Sequence, residues 1–226
     1  MKYEMWLIWK HPETRRRYRI GILSYENDIY TFRYVNPELD DAIVEGFEFF
    51  PGFENLYEIY ESNELFANID TRLPNVGRAD YLEILNLYNL EKDSSKLEIL
   101  RATKGRLLTD NYEFVPAFDS NKVEFDVAGT RHCPDAKKCK EFINVNDKLY
   151  LELEPDNEFD SNAIKVIFKK DGIKYHLGYV PRYYSYDLTK LLKKNVQYSA
   201  MIQSLNFESE INEEDITAYV KLIFNK

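Results

Sequence analysis

The sequence predicts an α+β protein that is mainly β and consists of two domains, residues 1–118 and 119–226. Short runs of alternating apolar residues, rich in aromatic and β-branched side chains, are typical of strands. Turn residues separate these runs. The length of 226 residues fits one large or two small domains. The segment 114–121 contains a proline and small polar residues, which predicts a short linker between the two.

The first domain opens with three strand-like runs, at 6–9, 18–23 and 29–34, which predict an antiparallel meander. Helical spacing follows at 64–67, 78–87 and 96–103, and Gly105 is a natural stop for the last helix.

The second domain shows six strand patterns and one long helical pattern. A small barrel or sandwich is the simplest architecture for this content. Asp171-Gly172 is a strong hairpin signal between two of the strands. The predicted strands are 123–129, 148–154, 163–169, 174–180, 196–207 and 216–224, and the predicted helix is 184–194.

The charge distribution excludes a protein that coats nucleic acid without specificity, because such affinity needs a basic surface. The net charge is −9. Residues 1–118 hold 14 Lys+Arg and 21 Asp+Glu (−7), and residues 119–226 hold 16 and 18 (−2). The stretch 165–194 is nevertheless basic, with 8 Lys+Arg against 2 Asp+Glu. A local pocket for one nucleic-acid end is therefore compatible with the sequence, whereas a long binding groove is not expected.

No apolar run is long enough for a membrane span, and the apolar part of the N-terminus is too interrupted for a secretory signal. The two cysteines, Cys133 and Cys139, do not form a disulfide framework. We therefore expect a cytoplasmic protein without a membrane partner.

The second half of the sequence contains three motifs whose order and spacing carry information about the fold. The central one is Glu-Pro-x-Asn-x-Phe-Asp-x-Asn-Ala-Ile-x-Val at 154–166. Phe-Asp-Val-Ala-Gly-Thr-Arg at 125–131 precedes it, and Leu-Gly-Tyr-Val-Pro-Arg at 177–182 follows it. Residues 120–226 resemble a HIRAN domain on these motifs. The resemblance implies a small OB-like six-stranded barrel with one or two helices.

The resemblance also implies that the turn at 155–162 helps to enclose the 3′ end of a single DNA strand. Phe159 would stack on a base, because every base has a π face. Asp160 would accept a hydrogen bond from the terminal hydroxyl and would repel a 3′-phosphate, and Asn157 and Asn162 belong to the same constellation. The alternative is structural: Asp160 and Asn162 cap the turn, and Phe159 belongs to the core.

Further binding residues are expected on the flanking motifs. Arg131 would pair with a phosphate. His132 stands where DNA-binding relatives tend to have an aromatic residue, and it would stack more weakly. Arg182 would bind phosphate at a helix N-terminus, and Tyr183 or Tyr184 could stack on a base. The alternatives are a surface arginine beside a loop and ordinary packing of the tyrosines.

No pattern predicts catalysis or a cofactor. His132, Cys133 and Cys139 lack the closed spacing and the fourth ligand of a zinc site, so no metal is expected. A glycine-rich phosphate loop and a Gly-x-Ser-x-Gly elbow are both missing from the sequence. Glu152 and Glu154 lie on one strand face and are more simply a solvated edge.

The first half resembles the N-terminal subdomain of HipA-type kinases, which is a non-catalytic β-rich lobe. The motifs are Tyr-x-Ile-Gly-x-Leu at 18–23, Tyr-Thr-Phe-x-Tyr at 30–34 and Leu-Phe-x-Asn-Ile-x-x-Arg-Leu-Pro at 65–74. They cover about residues 5–115. The motifs of the catalytic part of such kinases are absent from the sequence.

The sequence therefore predicts a protein that binds and does not catalyse. Its second domain would recognise a single-stranded DNA end with a 3′-hydroxyl, as an adaptor in DNA maintenance, defence or stress response, with a helicase or nuclease as partner. The alternative is a regulatory partner of a HipA-like kinase in a toxin–antitoxin type system, which acts through protein–protein contacts.

Overall fold

The computed structural model describes residues 3–207 and 217–225. The chain divides into two compact units, Met1–Ala117 and Phe118–Lys226. The boundary falls one residue before the position that the sequence suggested. A mainly β architecture with two antiparallel sheets and few helices is confirmed.

The N-terminal unit contains a five-stranded antiparallel sheet in the order β4-β3-β2-β1-β5. Its elements in chain order are β1 (Tyr3–Lys10), β2 (Arg17–Glu26), β3 (Ile29–Tyr34), α1 (Glu38–Val44), β4 (Tyr60–Ser62), α2 (Ala67–Asp70), α3 (Tyr81–Leu87), α4 (Lys96–Thr103) and β5 (Tyr112–Pro116).

The predicted meander forms β1 to β3, and the predicted helix 96–103 is α4. Ser95 begins α4 with a reciprocal pair of hydrogen bonds to Glu98, which is a capping box. Lys104 at its end takes a left-handed conformation with φ of 58°. The helix therefore ends at Thr103, and its cap Lys104 directly precedes Gly105, the stop that the sequence suggested.

Strand β5 corrects the predicted linker. Residues 114–116 pair with β1, and the register runs from Met5 opposite Pro116 to Trp9 opposite Tyr112. The proline was taken as a break, but it lies at the last position of a strand at the edge of the sheet, where a missing N–H costs nothing. The segment thus completes the first sheet instead of leaving it.

Aromatic side chains fill the core of the N-terminal unit. Phe32 stacks on Phe53 with ring centroids 4.1 Å apart, and Phe50 and Phe114 are buried beside them. The Tyr34 hydroxyl donates to the Phe53 carbonyl at 2.7 Å and accepts the Phe50 N–H at 2.8 Å. The core therefore also anchors an irregular loop between α1 and β4.

The C-terminal unit contains a six-stranded antiparallel sheet in the order β6-β11-β10-β7-β8-β9. Two short helical segments between β6 and β7 were not predicted. The elements are β6 (Lys122–Asp126), a 3-10 helix (Thr130–His132), α5 (Pro134–Cys139), β7 (Lys148–Leu153), β8 (Ile164–Lys170), β9 (Ile173–Tyr179), α6 (Arg182–Lys193), β10 (Tyr198–Asn206) and β11 (Thr217–Phe224). The predicted last strand began at 216, which lies outside the described residues.

The two edges of this sheet meet where Ala128, two residues after β6, pairs with Tyr179, the last residue of β9. Ala128 and Tyr179 exchange two backbone hydrogen bonds of 2.8 Å each. Gly178 has φ of 150°, and a Cβ there would lie 2.5 Å from the Ala128 carbonyl oxygen. Only a residue without a Cβ permits this approach. The bridge joins the edges as a barrel requires, and the complete OB-like barrel stays a prediction.

Among the described residues, no helix has both the length and the apolar content that a membrane crossing needs.

Candidate nucleic-acid interface

The turn between β7 and β8 is held together by the side chain of Asn157. Its Oδ1 accepts the N–H groups of Phe159 at 3.0 Å and Asp160 at 3.1 Å. Its Nδ2 donates to Glu154 Oε2 at 2.8 Å. Such Asx bonding replaces the backbone pairing that a turn lacks. The sequence Pro-Asp-Asn-Glu-Phe-Asp thus forms an ordered surface turn.

Phe159 projects from this turn into solvent, with 83% of its surface exposed. The alternative that placed Phe159 in the core is therefore wrong. The ring is carried by a backbone whose N–H is already bonded to Asn157. An exposed aromatic ring on an ordered backbone can stack on a ligand at a low entropic cost.

Asp160 and Asn162 connect the turn to helix α6. Asp160 Oδ1 accepts the Asn162 N–H at 2.8 Å, and Oδ2 accepts the Ser185 hydroxyl at 2.6 Å. The Asn162 carbonyl accepts the Thr189 hydroxyl at 3.1 Å. The structural alternative for these two residues therefore holds in part. Each carboxylate oxygen of Asp160 still has acceptor capacity beyond these bonds, because a carboxylate offers about four lone-pair sites.

Tyr179 links the three sequence motifs. Its backbone pairs with Ala128, which is near Arg131 in the chain, and its side chain hydrogen-bonds to Glu154 and Asn157 in the turn. Burial, followed by the bond to Glu154, raises the pKa of Tyr179 to about 12. The phenol therefore stays protonated as a donor. The segments that carry the predicted residues are joined at this one residue, through backbone hydrogen bonds to Ala128 and side-chain hydrogen bonds to the turn.

Lys165 neutralises Glu154 at the base of the turn. Its ammonium lies 2.5 Å from Glu154 Oε1. This bond is the largest of the causes that lower the pKa of Glu154, and a further bond comes from Asn157. Glu154 is thus an ionised acceptor that holds the base of the turn.

Arg131 and His132 are the exposed residues of the 3-10 helix that follows Gly129. Arg131 Nε donates to His132 Nε2 at 2.9 Å. The imidazole therefore accepts a bond from the guanidinium, and both groups are accessible to a phosphate.

Arg182 is the first residue of α6, directly after Pro181. Arg182 therefore lies at a helix N-terminus, as predicted. Tyr183 and Tyr184 are only 5% and 1% exposed, and their rings pack together at 4.7 Å. The prediction that Tyr183 stacks on a base is wrong, because its ring is part of the core and presents no face to a base.

Cys133 contacts His176, and not the adjacent His132 with which the sequence grouped it as a candidate metal ligand. Cys133 is buried, with Sγ 3.8 Å from His176 Nδ1, whereas His132 bonds to Arg131. Burial lowers the pKa of His176 and raises the pKa of the Cys139 thiol to about 11. Within the described residues, no three side chains of the metal-binding types lie together.

Sequence reasoning missed the side chains that hold the site together. Tyr179 was only part of a family pattern, and Ser185 and Thr189 were not considered. Ser185 and Thr189 lie four positions apart on α6, so they share one helix face. Two hydroxyls at that spacing, opposite a turn rich in Asn and Asp, were the available signal.

Residues 120–220 match the family model of the HIRAN domain, which is less than half of the chain. HIRAN domains are known as nucleic-acid-binding domains. The C-terminal unit is thus supported as a HIRAN domain, whereas the likeness of the first unit to HipA stays a prediction.

Two solved structures resemble this chain, and no curated protein matches it. The crystal structure of the HIRAN domain of human HLTF is 19% identical over 46% of this chain and 74% of that chain, with a TM-score of 0.35. The crystal structure of a protein from Lactobacillus plantarum is 21% identical over 46% of this chain and 92% of that chain, with a TM-score of 0.36.

Proposed function

We propose that the C-terminal unit binds nucleic acid and recognises single-stranded DNA ends that carry a free 3′-hydroxyl. The observation that carries this proposal is the exposed ring of Phe159 on a turn that internal hydrogen bonds order. The terminal base stacks on Phe159, and Arg131 and Arg182 pair with phosphates further along the strand.

The charge of the turn favours a hydroxyl end over a phosphate end. Four carboxylates occur between positions 154 and 160, and only Glu154 is paired with a lysine among the described residues. A terminal phosphate beside Asp160 would meet a like charge, whereas a hydroxyl can donate to its remaining acceptor sites. This arrangement supports selection of the 3′-hydroxyl.

The protein acts without catalysis in this proposal, as an adaptor that brings a strand end to a helicase or nuclease partner. The barrel expected from the HIRAN resemblance would supply the rigid frame. Binding energy would come from one stacked base and a few phosphates, so affinity should fall only moderately with added salt.

Binding of labelled single strands tests the proposal. An oligonucleotide with a 3′-hydroxyl should bind more tightly than the same strand with a 3′-phosphate. Phe159→Ala should weaken binding by about 1–3 kcal/mol, the range for loss of one stacked base. Tyr186→Ala is the matched control, because Tyr186 is also an exposed aromatic residue of this unit, with 53% exposure. Equal affinity for both ends, or none for either, contradicts the proposal.

A second variant separates charge from turn structure. Asp160→Asn removes the negative charge and can keep both contacts of the turn. Its amide oxygen can accept the Asn162 N–H, and its amide nitrogen can donate to the Ser185 hydroxyl, which itself donates to the Arg182 carbonyl. It should reduce the preference for the 3′-hydroxyl mainly by improving binding of the 3′-phosphate. An unchanged ratio between the two ends would show that Asp160 does not select the terminus.

A further inference from the structure

A cavity of about 280 Å³ lies at the end of β7 and β8 opposite to the turn with Phe159. The strand pair Leu149–Phe168 borders this end, and Leu153–Ile164 borders the turn. Four residue steps separate the two pairs, or ~13 Å along the strands at ~3.3 Å per residue. The cavity is therefore a feature distinct from the site with Phe159.

Three lysines line the cavity, Lys148, Lys169 and Lys170, and we call it the lysine pocket. Their side chains are exposed. Within the part of the chain that the structure describes, none of the three forms an ion pair with a carboxylate. Three like charges gathered in one concavity raise its potential and attract anions.

Aromatic rings hold these ammonium groups beside the cavity. Lys169 Nζ lies 3.9 Å from the centre of the Tyr150 ring, and Lys148 Nζ lies 5.4 Å from it. Lys170 Nζ lies 4.7 Å from the centre of the Phe142 ring. Cation–π contacts restrict long lysine side chains, so less entropy is lost when an anion binds.

One carboxylate, that of Asp147, also lines the pocket. Its Oδ2 accepts the Asn144 N–H at 2.8 Å, so one oxygen already has a partner within its own loop. The lining still carries three positive charges against one negative charge. An anionic ligand is thus favoured over a cationic or neutral one.

We propose that the lysine pocket binds the phosphodiester of a single nucleic-acid strand, as a contact that needs no strand end. The volume lies below the usual range of small-molecule pockets, which suits one nucleotide unit. Lysines bind phosphate as point charges without fixed geometry, so the contact is independent of sequence. The proposal rests on nucleic-acid binding by this domain, and it does not depend on recognition of the 3′ end.

A closed circular single strand tests this proposal, because it has no end for the Phe159 site. The wild-type chain should bind a labelled circle, with affinity that falls as salt rises. Lys148→Gln/Lys169→Gln/Lys170→Gln should reduce the slope of log affinity against log salt by ~2, at ~0.7 for each phosphate contact. Lys190→Gln/Lys193→Gln/Lys194→Gln, which removes three exposed lysines at the C-terminal end of α6, is the matched control and should leave the slope unchanged.

The outcomes separate the two sites and the two sources of phosphate. Absence of circle binding, or an equal loss with the control variant, overturns the lysine pocket. If the wild-type chain binds the circle but shows no preference for 3′-hydroxyl over 3′-phosphate ends, only the proposed end recognition fails. Displacement of the circle by thymidine monophosphate at an equal phosphate concentration identifies a site for free nucleotides and overturns the strand proposal.

Discussion

The two units of the chain differ in what they bury. The buried polar side chains of the N-terminal unit include a guanidinium, Arg72, and a carboxylate, Glu113. Among the described residues of the C-terminal unit, the buried polar side chains are the hydroxyls of Thr130, Ser185 and Thr189. A buried charge must be paired to be tolerated, so it belongs to the fold and is not accessible to a ligand.

The buried Arg72 guanidinium is paired with several groups of its own unit. It donates two hydrogen bonds of 2.7 and 2.8 Å to the Asp110 carboxylate and one of 2.7 Å to the Gly105 carbonyl. It also lies 5.5 Å from the centre of the Phe50 ring. Arg72 belongs to the motif that resembles HipA kinases, and here it connects α2 to the segment before β5.

The buried hydroxyls of the C-terminal unit have a different effect. Ser185 and Thr189 bond to the turn at Asp160 and Asn162 and hold it against α6. The charged and aromatic groups of that region, such as Arg131 and Phe159, are exposed. The comparison teaches that the N-terminal unit buries charged side chains, whereas the described part of the C-terminal unit buries only neutral polar ones and leaves its charged groups at least partly accessible, which is why we place binding there.

Arg72→Met should give the largest loss of stability. It leaves Asp110 and the Gly105 carbonyl without their donor, and removal of one partner of a buried pair costs about 3–5 kcal/mol. Both tryptophans, Trp6 and Trp9, lie in the N-terminal unit, so tryptophan fluorescence during denaturant unfolding reports on that unit alone.

Arg78→Met is the matched control for this variant. Arg78 pairs with Asp80 at 2.7 Å, but their side chains are 55% and 47% exposed. An exposed ion pair contributes little to stability because water and salt screen it, so the control should be close to the wild type. Equal losses in both variants would refute the distinction between structural and surface charge.

Glu113 should make the free energy of unfolding of the N-terminal unit depend on pH in the acid range. Burial raises the pKa of this carboxyl, but Arg106 and Arg17 outweigh burial and hold it at about 2, below the usual 4.5. A lowered folded-state pKa stabilises the fold above pH 4.5, and this stabilisation is lost as the pH falls towards 2.

Glu113→Gln should therefore reduce the unfolding free energy at neutral pH by about 2–3 kcal/mol and flatten its dependence on acid. Tryptophan fluorescence at several pH values measures both effects. Glu83→Gln, an exposed carboxylate of the same unit, is the control. A Glu113→Gln variant that keeps the full acid dependence would show that other groups cause it.

Local patterns predicted most strands and the longest helices, because alternation and helical spacing are visible in single segments. The same logic failed at β5, where Pro116 suggested a linker. The partner of that strand is β1, more than 100 residues earlier, and no local pattern shows such pairing. The bridge between Ala128 and Tyr179, which joins the edges of the second sheet, could not be predicted for the same reason.

The candidate site was predictable only as a set of residue types. The motif around Asn157 indicated the turn, but two outcomes for Phe159, solvent or core, were equally compatible with the sequence. Burial of Tyr183 and exposure of Phe159 follow from the way in which α6 packs, which depends on distant contacts such as Ser185 with Asp160. The residue types in the sequence thus indicated the kind of ligand, and the tertiary structure showed which of these residues are exposed to it.

Phe159→Ala should give the smallest effect on folding. The ring is 83% exposed, so its removal should change the unfolding free energy of the C-terminal unit by less than about 0.5 kcal/mol. Phe125→Ala is the contrasting control, because a buried phenylalanine, here 1% exposed, costs about 3–5 kcal/mol.

Hydrogen exchange of the Ala128 and Tyr179 amides measures this stability, since their mutual bonds join the edges of the sheet. A large loss of protection in Phe159→Ala would mean that the ring supports the fold. Its effect on DNA binding could then not be assigned to stacking. Unchanged protection together with weaker binding would assign the effect of the ring to the ligand.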